Sequence, residues 1–247
     1  GAGELVIVGD FDPKQTLPLL KKSLASWESE YSYTRIGQKA FTNVAGGPQT
    51  IQIPDKANAV YYAGSVIPMS QQHPDYPALK LGIYILGGGS LSSRLGDRIR
   101  QKEGLSYGVG SGYSGNWFDD VSRLTIGAIS NPQNSAQVVK SIGEEIDLLV
   151  AKGITAQELQ QAKKGYLQSL AVQRTSDGSI LSLLAGSLNN KTTMADQAKY
   201  EAAVGQLTVQ QVGMALKKHI NPKRLVIITA GDFTKAKESG PKPPGKK

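Results

Sequence analysis

Two rhythms of apolar and polar positions alternate along this chain, and each change of rhythm marks an element. Glu4 to Val8 contains a short, continuous apolar run of the kind that forms a buried strand, and it runs into Gly9-Asp10-Phe11. Leu17, Leu19, Leu20, Leu24 and Trp27 then fall at spacings that predict an amphipathic helix over 13–27. Asp12 is placed to cap it, with Pro13 in the first helical position, where a missing N–H costs nothing. Residues 28–48 are polar and glycine-rich and read as a linker. Strands are predicted at about 49–54 and 58–67, followed by a mostly apolar helix from Pro74 to Leu86. Gly87-Gly88-Gly89 breaks that helix, and Ser90 or Ser92 can cap a short one running to about Lys102.

Strict alternation returns over 106–114 and 120–129, two strands joined by Ser114-Gly115-Asn116. Val138, Val139, Ile142, Ile146, Leu149 and Val150 then form one helical stripe, and Leu159, Ala162, Tyr166, Leu170 and Val172 most of a second. Both stripes read as core. Gly153 separates them, and Thr155 with Glu158 three residues on is a capping-box pattern. Shorter helices near 176–189, 194–204 and 208–218 precede a last strand at Leu225–Thr229. This order predicts an α+β fold, a mostly antiparallel sheet of about five to six strands with helices packed on one face.

The first and last strands echo each other. Leu5-Val6-Ile7-Val8-Gly9-Asp10-Phe11 returns 222 residues later as the run ending in Gly231-Asp232-Phe233. β-branched runs ending in Gly-Asp are common, so the echo alone reads either as coincidence or as a domain duplication. Under duplication, residues 1–30 are the terminal strand and helix of a preceding homologous domain, 31–48 a linker and 49–234 the next domain. An opening directly on a strand-like run carries the same expectation, that a unit precedes it.

Composition narrows the function classes. No apolar run reaches the roughly 18–20 residues that a membrane-spanning helix needs. The chain has no cysteine, which removes disulfides, thiolate ligands and a cysteine nucleophile. A formal charge of +8 suggests nucleic acid, but five lysines against Glu238 alone crowd residues 235–247, a Pro/Gly/Lys stretch that reads as a disordered tail. The rest of the excess is spread thinly with no basic, aromatic-interleaved stripe, so no nucleic-acid partner is expected.

Candidate chemistry concentrates between Leu86 and Tyr107. A glycine loop opens a short helix carrying Arg94, Arg98 and Arg100, and Gly104 ends it before the strand that bears Tyr107. A guanidinium and a phenol brought together there are donors suited to a peptide carbonyl or its developing oxyanion. Arg94 and Arg98, four apart, read as ion-pair residues of a surface or domain interface. A glycine loop before a helix can hold phosphate, but no Gly-Lys-Ser/Thr ending and no Rossmann spacing accompanies it, so Gly87, Gly88 and Gly89 read as a hinge or loop. His73 reads as a surface residue at a helix entry, His219 as a helix C-terminal residue and Glu144-Glu145 as a solvated face.

Arg100-Gln-Lys-Glu-Gly-Leu-Ser-Tyr107, with the preceding Gly87-Gly-Gly-Ser90 and Ser93-Arg94-Leu95, resembles the C-terminal half of the pitrilysin/insulinase/mitochondrial-processing-peptidase family of inverzincin metallopeptidases. The likeness covers nearly the whole chain, and the echo matches that family's duplicated half-domains. It implies a zinc-free, substrate-binding half in which Arg100 and Tyr107 contact the peptide backbone near the scissile bond. It implies further that the zinc lies in a complementary N-terminal half or in a partner subunit, that the substrate is a peptide or unfolded protein segment, and that the bacterial periplasm is the setting. The alternative is a non-catalytic partner subunit or scaffold of a heterodimeric processing-peptidase-like complex. His73 and His219 are the only histidines and lie in no His-x-x-Glu-His pattern, so no catalytic residue, metal site or cofactor is expected on this chain itself.

Overall fold

In the computed structural model, residues 3–89 and 92–234 are described. One five-stranded sheet organises them, made of Gly47–Gln52 (β1), Ala59–Ile67 (β2), Ser106–Gly115 (β3), Ser122–Ser130 (β4) and Val226–Gly231 (β5). The strand order is β1-β5-β2-β4-β3. Only the β1–β5 pair is parallel; β2 lies antiparallel between β5 and β4, and β3 closes the other edge antiparallel to β4. The α+β expectation of a mostly antiparallel sheet therefore holds.

Alternation decides which face is covered. Tyr61 and Ala63 of β2 are buried and register with buried Ala128 and Ile126 of β4, and buried Ala59 and Ile67 with buried Ser130 and Ser122, whereas Val60, Tyr62 and Ile129 of the intervening rows are exposed. The covered face packs on Tyr76–Ile83 (α2), Ser135–Lys152 (α3) and, behind them, Val209–His219 (α7). Leu79 and Ile83 of α2, Val138, Ile142, Ile146 and Leu149 of α3, and Val212 and Leu216 of α7 are buried almost completely. At about 1.5–3 kcal/mol for each such side chain, these three helices supply much of the hydrophobic stabilisation.

Among the described residues, contacts define two compact units, 3–37 with 168–200, and 38–167 with 201–234. The sheet and its helices belong to the second. The first contains Pro13–Leu24 (α1), Asp177–Asn190 (α5) and the adjoining ends of Ala156–Gln173 (α4) and Met194–Gln206 (α6). Asp12 accepts from the Lys14 N–H and Pro13 starts α1, as the sequence predicts. Its apolar stripe differs from expectation: neither α1 nor α5 has a buried residue, and Leu17, Leu19, Leu24 and Trp27 stay exposed. Likewise the α4 stripe is buried only to Tyr166, and Val172 is exposed.

Two further expectations change. Glu4 to Val8 pairs with no strand among the described residues, and Leu5 and Ile7 are exposed; an apolar run becomes a strand only beside a partner that satisfies its backbone. The apolar helix from α2 does not stop at Leu86 but widens into a π-helical turn, Tyr84–Gly88, with the Gly89 N–H bonded to the Tyr84 carbonyl. The proposed cap Ser90 and the expected tail 235–247 lie outside the described residues. Among the described residues no helix is long and apolar enough to cross a membrane.

Candidate substrate-contact site and a histidine–aspartate cluster

The stretch that carries the candidate chemistry is built on a second π-helical segment, Gly96–Lys102. Ser93 caps the helical turn that leads into it, its hydroxyl accepting from the Gly96 N–H at 3.2 Å; Ser92 instead donates to the Gly89 carbonyl. Wide turns persist to the end, where the Glu103 N–H reaches Arg98 and the Leu105 N–H reaches Ile99. Gly104 takes φ of 61° there, a left-handed conformation that glycine adopts without steric cost. Buried Leu95 and Ile99 anchor the segment beneath.

Two of its arginines are consumed in holding it. Arg94 grips both carboxylate oxygens of Glu158, at 2.6 and 3.0 Å, and the Gly153 carbonyl at 2.8 Å. Glu158 also closes the capping box with Thr155, so one carboxylate ties this segment to the start of α4. Burial acts to raise that carboxyl's pKa, but hydrogen bonds from Arg94 and Thr155 outweigh it and hold it below the ordinary value. Arg98 binds Glu103 at 2.8 Å, Glu145 at 3.1 Å and Glu144, while Glu103 accepts from Ser141 at 2.6 Å. Glu144 and Glu145 are thus partners of Arg98 rather than a merely solvated face. Glu103 first, then Glu144, push the Arg98 guanidinium pKa upward, so its charge is permanent.

Arg100 and Tyr107 behave differently. Arg100 is exposed in the last turn of the π-helix, and Tyr107 is 63% exposed. Among the described residues neither side chain makes a hydrogen bond or ion pair. The strand register explains the presentation of the tyrosine: Ser106 pairs with Ser130 and Gly108 with the adjacent Ile129, so Tyr107 is the extra residue of a β-bulge. Ser106 fixes that bulge by donating to Ile129 and accepting from the Gly108 N–H. A bulge re-aims a side chain, and here it does so beside the uncovered sheet face carrying Val60, Tyr62 and Ile129.

The expected glycine loop has a different form. Gly87 and Gly88 are helical, and a Cβ on Gly87 would stand 2.5 Å from the Ser111 backbone nitrogen. Its role here is close approach to β3, reinforced by the Ser111 hydroxyl donating to the Ile83 carbonyl.

A grouping the sequence reading missed joins the two histidines. His73, before α2, and His219, at the end of α7, meet edge to face with ring centroids 5.6 Å apart. Asp75 lies between them: its Oδ2 is 2.8 Å from His219 Nε2 and 2.8 Å from Lys218 Nζ, and its N–H donates to His73 Nδ1. One potential ligand atom from each of His73, Asp75 and His219 lies within 4.8 Å of the others. With the histidines 146 positions apart, no local motif could announce this; only the packing of α2 on α7 creates it.

Residues 4–166 match the family described as peptidase M16 inactive domain. The chain belongs to that family. The match covers the bulge, the π-helical arginine segment and strands β1 to β4. The chain is 27% identical to a Helicobacter pylori protein named non-peptidase homolog YmxG, over 91% of the chain and 51% of that protein. It is 35% identical to the uncharacterized zinc protease YmxG of Bacillus subtilis, over 38% of the chain and 23% of that protein. A solved structure described as the peptidase M16 inactive domain from Pseudomonas fluorescens superposes with a TM-score of 0.76 at 25% identity, over 90% of this chain and 52% of that one. The chain spans about half the length of the Helicobacter pylori protein and of the Pseudomonas fluorescens structure. Family membership accords with an inactive half of metallopeptidase type, the fold the sequence predicted.

Proposed function

We propose that this chain is the substrate-contacting, zinc-free half of a zinc-dependent peptidase, with Arg100 and Tyr107 directed at the peptide. One observation carries the reading: Arg94 and Arg98 are engaged in ion pairs, while Arg100 and Tyr107 are exposed and uncommitted on either side of Gly104. The ion pairs of Arg94 and Arg98 and the Ser106 bulge fix the backbone that carries both donors, while the two side chains keep their donors for a ligand. In this reading the guanidinium supplies permanent positive charge and the phenol a single directed donor, both to the scissile carbonyl. The exposed apolar row Val60, Tyr62 and Ile129 offers a surface for the neighbouring part of an extended peptide. Zinc, its activated water and the general base belong to a complementary N-terminal half, on the same chain or a partner.

The test is hydrolysis of unfolded peptide by the complete zinc-loaded parent. Arg100→Ala is expected to lower kcat/KM by about 10²–10³, the usual cost of losing an oxyanion donor, and Tyr107→Phe to lower it by at least about tenfold. Unchanged turnover in both variants rejects the site.

A second reading rests on the name of the Helicobacter pylori relative, a non-peptidase homolog. It makes the chain part of a peptide-binding scaffold without hydrolysis. A zinc-loaded parent that binds peptide, loses affinity in Arg100→Ala and never cleaves decides for it. For either reading we propose the bacterial periplasm, on family resemblance; fractionation of the native host tests the compartment.

A further inference from the structure

We propose that His73, Asp75 and His219 form a transition-metal site of the zinc or nickel class that clasps the start of α2 to the end of α7. It is independent of the substrate reading above, and of any zinc in a complementary half.

Two imidazoles and one carboxylate are a donor set that suits zinc, nickel and copper, and three protein ligands with water in the fourth position are common for zinc. The three groups already converge, with potential ligand atoms within 4.8 Å of one another. Ligands on a tetrahedral zinc, at about 2.0–2.1 Å from the ion, stand roughly 3.3 Å apart. The His219–Asp75 pair, now at 2.8 Å, has to open by about half an ångström, and His73 has to draw in. Both are side-chain rotations on a fixed frame, because α2 and α7 are locked together beneath the cluster. Gly82 makes that close approach: a Cβ there would stand 2.8 Å from the Leu216 side chain.

A cation already sits on the carboxylate. Lys218 Nζ lies 2.8 Å from Asp75 Oδ2, which shows that the position accepts positive charge, and its side chain is 63% exposed and free to swing away. The ammonium is thus a displaceable occupant, and the imidazoles are what give a metal its advantage over it. The His219 side chain is only 14% exposed, so the cluster is partly shielded from water without being sealed against entry of an ion. Inward movement of His73 replaces the 3.0 Å hydrogen bond its Nδ1 accepts from the Asp75 N–H with a bond to the metal. The chain has no cysteine and no other histidine, so no second imidazole or thiolate site can account for binding.

The test is titration of zinc chloride into the purified, chelator-treated chain, followed by calorimetry, together with the visible spectrum of the cobalt form. One metal per chain with micromolar affinity is expected, with the d–d bands of a low-symmetry cobalt centre. His73→Ala and His219→Ala should each weaken binding by tenfold or more. His219→Gln keeps an N–H for Asp75, and so the helix clasp, yet should weaken zinc to the same extent. Lys218→Ala removes the competitor and should bind at least as tightly as the parent. Circular dichroism without metal separates variants that fail to fold, and His219→Gln then decides in place of His219→Ala. No binding below about 100 μM zinc, unchanged binding in the histidine variants, or weaker binding in Lys218→Ala overturns the site.

Discussion

Single side chains in this protein divide into those spent on structure and those left available. Arg98 and Arg100 stand two residues apart, yet one holds three carboxylates and the other none. Their substitutions should therefore separate. Arg98→Ala leaves Glu103, Glu144 and Glu145 crowded without their cation and should lower stability by about 1–3 kcal/mol. Arg100→Ala should leave stability within about 0.5 kcal/mol, as an exposed position allows; urea unfolding of both variants checks the contrast. Asp232 is a second structural carboxylate, one of the echoed Gly-Asp-Phe pairs. It is buried and accepts from Thr234, from the Asp55 N–H and from Gln52 at 2.8 Å, and the first two in that order hold its pKa far below the ordinary carboxylate range. A depressed folded-state pKa stabilises the fold above the unfolded value, near 3.9, and that contribution is lost as pH falls through the folded value. Asp232→Asn should be less stable at pH 7, and its deficit should shrink as unfolding is followed down to about pH 2.

At the scale of elements, one short helical stretch ties two others together. Arg94 and Arg98, four apart, reach different partners, Arg94 the start of α4 and Arg98 the acidic face of α3. The α4 start was legible because its cap is local: Thr155 and Glu158 form the capping box that their spacing predicts. Thr155→Ala should cost about 0.5–2 kcal/mol, measurable by thermal unfolding. Glycine at 87 is required for a reason no local pattern reveals, its contact with the β3 backbone. Gly87→Ala should destabilise by about 1–3 kcal/mol despite alanine's better helix propensity, because the obstructing atoms are main chain and cannot step aside.

Across the whole molecule the sheet unit and the helical unit differ in how much they bury. Ile142 is fully buried against the sheet, whereas Leu19 of α1 is 64% exposed. Ile142→Ala should cost about 2–5 kcal/mol, and Leu19→Ala less than about 0.5 kcal/mol. Hydrogen exchange should follow the same division, with β2 and β4 protected longest and α1 exchanging early. Strand positions, helix positions and the α+β class were legible because they follow from periods of 2 and 3.6 that any neighbour respects. The Arg–Tyr pair was legible as a spacing, and its presentation was not, since the bulge that exposes Tyr107 is a property of the β3–β4 register. Glu4 to Val8 carried a strand pattern and formed no strand, because pairing is supplied from outside the segment. By itself the sequence determined the order of elements from β1 onward, the caps of α1 and α4 and the absence of a histidine zinc motif, all of which depend on neighbours within a few residues. Tertiary structure alone decided which arginines remain free and brought His73 and His219 to one carboxylate, because contacts between residues far apart in the chain exist only once the helices have packed.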